Sequence, residues 1–205
     1  ARGIDGNTAK EFCIGYSKNS WDDLTKKFGK TEKNIDQLVE AGLIIKKDNG
    51  GYIDFFRNRV MFPIRDNRGD VVGFGGRRVD EKDNPKYLNS REMPLFKKKY
   101  LLYGLFEGKQ QISATKEVIL VEGYTDVIGL SQYGIGNALA TLGTATTESH
   151  IKLIFQKANK VIFCFDADNA GKKASMRALE TSLPFIRQNK SVEFLMLDKG
   201  SDPDT

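Results

Sequence analysis

The sequence predicts a mixed α/β protein: an N-terminal α+β subdomain, then a mostly parallel sheet with helices on both faces. Three patterns carry that prediction. Short capped helical stretches fill the first 50 residues, an extended pattern around a turn occupies about 52–80, and short apolar runs alternate with helical ones from residue 117 onward. Strands alternating with helices call for parallel pairing, because each crossover helix must lie on a face of the sheet. The boundary is drawn so that residues 1–115 form the first subdomain and 116–205 the second, truncated at its C-terminal side.

Each element has a local reason. Ser20 is placed to cap a helix through Trp21 to Phe28, with Asp22 and Asp23 favourable in its first turn. Trp21 is read as a core residue. Thr31 caps a second helix whose stripe of Ile35, Leu38 and Val39 ends at Gly42. Val60–Ile64 and Val71–Phe74 flank Asp66-Asn67-Arg68-Gly69, a hairpin pattern. Gly73, Gly75 and Gly76 mark a close approach by another backbone or a ligand. Leu95–Phe106 is expected to be helical. In the second subdomain, strands are predicted at 117–121, 137–141, 160–165 and 192–197. Helices are predicted at 124–133, 147–157 and from about 170 to 187.

Composition removes several classes of function. The longest apolar runs, Val118–Val121 and Val161–Phe165, are too short to span a membrane. Two distant cysteines, Cys13 and Cys164, and a single histidine, His150, supply neither a disulfide framework nor a zinc site. Both thiols are read as reduced and buried, in a cytosolic protein. The absence of an initiator Met and the loop-like last residues are read as marks of a piece of a longer protein. Any metal is therefore a hard cation held by oxygen. Charge is uneven: residues 57–99 hold 12 Lys/Arg against 6 Asp/Glu, and residues 116–205 hold 10 against 11. A positive middle segment suits a polyanionic partner such as nucleic acid or a nucleotide.

In open parallel sheets, ligands bind beyond the carboxyl ends of the strands. Glu122 follows the first predicted strand of the second subdomain, Asp166 and Asp168 follow the third, and Asp202 and Asp204 follow the fourth. Crowded carboxylates repel unless one takes up a proton or a cation neutralises them. Mg²⁺ suits such ligands, and a pair of ions about 3.5–4 Å apart can clamp both oxygens of an in-line phosphoryl displacement. Asp168 is equally placed to cap the helix that follows it. Gly143 through Thr147 opens a helix at the same edge, where free N–H groups can receive an anion or Thr146 or Thr147 can act as a simple cap.

The segments Val121-Glu122-Gly123-Tyr124-Thr125-Asp126, Phe165-Asp166-Ala167-Asp168 and Asp202-Pro203-Asp204 resemble the Toprim signature of primases, topoisomerases, recombination proteins and some nucleases. Upstream, Arg57 through Ile64, Gly73-Phe74-Gly75-Gly76-Arg77, Pro85 through Ser90 and Leu102-Tyr103-Gly104-Leu105 resemble motifs of bacterial primases. So do Leu142 through Thr147 and Asp166 through Gly171. The resemblance, to the RNA polymerase core of the DnaG-type DNA primases, covers nearly the whole chain and is weakest over residues 1–50. Thr125 stands where that family's motif leads one to expect a hydrophobic residue.

The resemblance implies a DNA-templated RNA polymerase that makes short primers for DNA replication by metal-dependent nucleotidyl transfer. It implies Glu122, Asp166 and Asp168 as catalytic metal ligands, with Mn²⁺ able to replace Mg²⁺, and Asp202 and Asp204 completing a second or shared site. Asp126, one helical turn past Glu122, would orient those ligands from behind. Arg57, Arg59, Arg77, Lys86 and Lys98 are the candidates for triphosphate and template contacts, with Arg57 and Arg59 on one side of a strand. Spacing does not separate Arg77 from Arg78. Implied partners are single-stranded DNA template, nucleoside triphosphates, guanosine tetraphosphate as inhibitor, and a replicative helicase and zinc-binding domain reached through regions outside this chain. The cytoplasm, at the nucleoid, is the implied location. A Toprim nuclease or topoisomerase fragment and a non-catalytic nucleic-acid-binding module are the alternatives.

Overall fold

The computed structural model describes residues 3–197. In chain order these form α1 (Gly6–Glu11), β1 (Gly15–Ser17), α2 (Asp23–Phe28) and α3 (Glu32–Glu40). There follow β2 (Ile44–Lys46), β3 (Tyr52–Asp54), β4 (Arg59–Arg65), β5 (Val71–Arg78) and β6 (Tyr87–Asn89). Beyond them lie α4 (Lys109–Thr115), β7 (Glu117–Val121), α5 (Tyr124–Gln132), β8 (Ala138–Ala140), α6 (Glu148–Lys157), β9 (Lys160–Phe165), α7 (Asn169–Ser182) and β10 (Ser191–Met196). Packing gathers residues 3–12, 65–70 and 97–197 into one compact unit and 13–64 with 71–96 into another.

The second of these units is built on an antiparallel sheet in the order β1-β4-β5-β6, with β2 and β3 forming a separate ribbon. Thr31 caps α3 as predicted, its hydroxyl accepting from Asn34 N–H at 3.2 Å. Helix α2 starts at Asp23, later than the sequence pattern suggests. Ser20 bonds with Asp22 there rather than capping the helix. Trp21, expected in the core, is 63% exposed. The predicted hairpin forms, and one oxygen of Asp66 accepts from the N–H groups of Arg68, Gly69 and Asp70 at 2.8–3.1 Å to shape its turn. The close approach expected at the glycines of β5 is real. A Cβ on Gly73 would lie 2.5 Å from the Phe96 ring, and one on Gly76 would lie 3.0 Å from Phe56 and Arg59.

The other unit holds a parallel sheet in the order β10-β9-β7-β8. Its inner strands read as continuous apolar runs because helices cover both faces. Val118, Leu120, Leu139, Val161 and Phe163 are at most 1% exposed and form the core with Ile151, Ile154 and Ala178 of the helices. Helix α7 stops at Ser182 rather than near residue 187, since Pro184 turns the chain into a short 3-10 segment.

Leu95–Phe106 is not a helix. Only Lys98–Tyr100 forms a 3-10 turn, and Tyr103 instead exchanges main-chain hydrogen bonds with Ala140 at 2.9 and 3.1 Å. Its buried residues Phe96, Leu102, Tyr103 and Leu105 would spread around half of a helix rather than along one stripe, and an extended path against β8 suits them better. Cys164 is buried as expected, but Cys13 is exposed.

Candidate active site: acids at the parallel sheet edge

Strands β7 and β9 are neighbours in register, with Leu120 opposite Phe163, so the residues that follow them emerge side by side. The backbone N–H of Asp166 donates to Oε1 of Glu122 at 3.2 Å. Asp126 is buried in the first turn of α5, and its carboxylate accepts from Gly123 N–H at 3.0 Å, which braces the turn that presents Glu122. Asp168 is the N-cap of α7, with one oxygen accepting from Gly171 N–H at 2.8 Å. Gly171 is obligatory here: a Cβ would lie 2.0 Å from the Asp166 carbonyl oxygen. The turn packs that tightly because the helix starts directly against the strand end.

Electrostatics report the crowding. Removal from water on its protein side, and then the Asp166, Asp168 and Asp126 carboxylates, push the Glu122 pKa upward. Burial, followed by the charges of Asp126 and Asp166, pushes the Cys164 thiol up to about 11. It stays protonated at neutral pH, in keeping with a buried structural thiol.

Among the described residues, no three acidic, histidine or cysteine side chains converge as a ready-made ion site. Asp202 and Asp204 lie outside the described residues. The donor chemistry nonetheless fits a hard divalent cation: oxygen ligands only, with mutual repulsion that such an ion would relieve.

Beside the acids is a cleft of about 430 Å³, lined by Glu122, the Gly143–Thr146 loop and the face of α7 that bears Lys173 and Arg177. Of the two readings of that loop, capping is realised. Thr147 Oγ1 accepts from His150 N–H, and His150 Nδ1 accepts from Thr147 N–H, both at 3.2 Å. His150 Nε2 also meets the Lys98 carbonyl at 2.9 Å, and Thr147 Oγ1 donates to Lys99 O at 3.2 Å. The turn carrying Lys98 is thereby tied to the start of α6. Sequence reasoning missed Lys173, Arg177 and this use of His150. The available signal was the i, i+4 spacing of two cations on the helix after Asp168.

In the other unit, Arg57 precedes β4 rather than lying in it. Its guanidinium donates to Asp54 O and stacks 4.3 Å from the exposed Trp21 ring. Arg59 is 5% exposed, and its Nη1 donates to Pro85 O at 2.9 Å and Gly76 O at 3.4 Å. The expectation that the two arginines share a strand face therefore fails: one is outside the strand, the other buried against main-chain carbonyls. Arg77 and the exposed Lys86 flank the Tyr87 ring at 5.7 and 5.9 Å. Arg78 is engaged by Asn84 Oδ1 at 2.9 Å and Asp83 O at 3.4 Å.

A parallel sheet with acids after its first and third strands, carried with a basic α+β module, defines a Toprim protein of the nucleic-acid-processing class. The Toprim domain profile matches residues 116–195, and that of the DNA primase catalytic core, N-terminal domain, matches residues 1–109. The chain belongs to the DnaG-type DNA primase catalytic-core family. It is 48% identical over 204 residues to the DNA primase of Escherichia coli strain K12, covering all of this chain and 35% of that protein. It thus spans about a third of the length of that relative. A DNA primase domain from Pseudomonas aeruginosa superposes with a TM-score of 0.94 at 49% identity, covering 99% of this chain and 63% of that one. A DnaG primase catalytic domain bound to single-stranded DNA gives 0.91 at 46% identity, covering 99% and 65%. Membership implies use of a divalent metal. Among the described residues, no helix is long and apolar enough to cross a membrane.

Proposed function

We propose that this chain is the polymerising core of a primase, joining ribonucleotides on a single-stranded DNA template to make replication primers. In that reaction the 3′-hydroxyl of one nucleotide attacks the α-phosphorus of the next. The new P–O bond forms as the bond to the bridging β-phosphate oxygen breaks, and pyrophosphate leaves with its electron pair. Glu122 takes the hydroxyl proton or would serve as a metal ligand. Asp166 and Asp168, which follow β9, would hold the metal with Asp202 and Asp204 as further ligands, and Asp126 keeps the Glu122 turn in place. Mg²⁺, or Mn²⁺ in its stead, supplies charge neutralisation at the phosphate oxygens when bound. Arg57, Arg77, Lys86 and Lys98 contact triphosphate or template, and Arg77 is favoured over the already engaged Arg78. Arg59 positions the Pro85 loop from within.

The observation carrying this reading is the meeting of Glu122 with Asp166 at adjacent ends of β7 and β9. The same reading places the protein in the cytoplasm with a helicase and a zinc-binding domain as partners, and guanosine tetraphosphate as a competitor for the nucleotide site. The test is incorporation of labelled nucleotide on single-stranded DNA with Mg²⁺ or Mn²⁺. Asp166→Ala is expected to reduce it by roughly a hundredfold or more, in the range seen when one transition-state stabilising group is lost. Undiminished synthesis by Asp166→Ala, or strand cleavage with no synthesis by the wild-type chain, would refute the proposal.

A further inference from the structure

The wall of the acidic cleft formed by α7 has a pattern that the metal ligands do not explain. Ala170, Lys173, Ala174 and Arg177 all line the cleft. Their i, i+3, i+4, i+7 spacing is one continuous helix face. The two alanines leave the floor open, and the two long side chains stand four residues apart above it. The same cleft is lined by small and hydroxyl-bearing residues, Gly143 through Thr146, and by Glu122. Lys173 and Arg177 are exposed, and among the described residues neither forms an ion pair. They are therefore not spent on neutralising Glu122, Asp166 or Asp168.

The α7 side of the cleft thus carries two uncompensated positive charges, and a divalent cation on the acids would offset most of the negative charge beside them. Such a site suits a ligand that is anionic along its length and presents oxygens in two directions. We infer that Lys173 and Arg177 form an anion-binding wall that grips the triphosphate tail of the incoming nucleotide, Arg177 through paired N–H groups and Lys173 as a point charge. This rests on the nucleotidyl-transfer reading above and deepens it, since it assigns the leaving pyrophosphate to α7. The two cations bind and orient the tail, so their loss weakens nucleotide affinity more than it affects the metal.

Titration calorimetry of the full 205-residue chain with a nucleoside triphosphate and Mn²⁺ tests the inference. Lys173→Gln and Arg177→Gln are each expected to weaken binding about tenfold, and the double variant about a hundredfold, as for the loss of charge-assisted hydrogen bonds. Arg177→Lys should recover part of the loss. Because both side chains are exposed, the metal-free melting temperature should be unchanged. Binding of a nucleoside monophosphate and of single-stranded DNA should also be unchanged. Equal triphosphate affinity in wild type and double variant overturns the inference while leaving the nucleotidyl-transfer reading standing. So does an equal loss for single-stranded DNA, which would assign the cations to strand phosphates. A wild-type chain that binds no nucleoside triphosphate overturns both.

Discussion

His150 is fully buried, and its ring joins two pieces of backbone: Nδ1 takes the Thr147 N–H and Nε2 meets the Lys98 carbonyl. Those bonds need a neutral ring with its proton on Nε2, and burial lowers its pKa accordingly. A histidine whose folded pKa lies below its unfolded value contributes stability that is complete above the unfolded value of about 6.5. That contribution is lost as pH falls toward the folded pKa, at no more than about 1.4 kcal/mol per pH unit. His150→Gln keeps an N–H for Lys98 O but cannot titrate. Urea midpoints measured from pH 7.5 to 5.5 should fall more steeply for wild type than for the variant. Parallel curves would show that the ring does not couple to folding. Such residues are hard to read from sequence, because a lone histidine on a helix looks alike whether it binds backbone, metal or water.

The strand–turn–helix unit from β9 to α7 is where element geometry and site chemistry meet. Gly171 lets the helix start against the Asp166 carbonyl while its own N–H satisfies Asp168. The turn is buried against main chain that cannot swing away as a flexible side chain would. Gly171→Ala should therefore cost at least the upper end of ordinary overpacking, about 3 kcal/mol, and displace Asp166. Chemical denaturation would measure the cost, and loss of Mn²⁺-induced stabilisation would report the displacement. A variant of wild-type stability and metal response would contradict the packing. This unit is legible in the sequence because its signals are local: the apolar run of β9, acids directly after it, and a cap followed by helix. The Leu95–Phe106 segment is not, since what extends it is pairing of Tyr103 with distant Ala140. Trp21 misleads for a related reason. Apolarity predicts burial, but here the ring serves as a base for the Arg57 guanidinium. The α7 cations stay hidden because spacing reveals a helix face without telling which way it looks.

At the scale of the whole chain, the charge bias separates two tasks. The 57–99 segment, with 12 Lys/Arg against 6 Asp/Glu, carries the strand-binding candidates, whereas the acids that would hold metal belong to 116–205, with 10 against 11. If the tasks are separable, substitutions in each segment should disturb different observables. Neutralising a phosphate contact releases fewer counterions on binding, so the log–log slope of single-strand affinity against salt should flatten by about 0.7 per contact removed. Lys86→Gln and Arg77→Gln are the suitable variants, since Lys86 is exposed and both lie beside Tyr87 rather than in the core. Each should flatten the slope while leaving the rise in melting temperature with Mn²⁺ at the wild-type value. Asp166→Asn should do the reverse, abolishing the Mn²⁺ response while leaving strand affinity equal or slightly stronger, because it removes a negative charge. Fluorescence anisotropy across a salt series and thermal melts with and without Mn²⁺ measure both quantities on the same preparations. A crossed result, with Asp166→Asn flattening the slope and Lys86→Gln leaving it intact, would mean that the sheet-edge acids and not the basic segment govern strand binding.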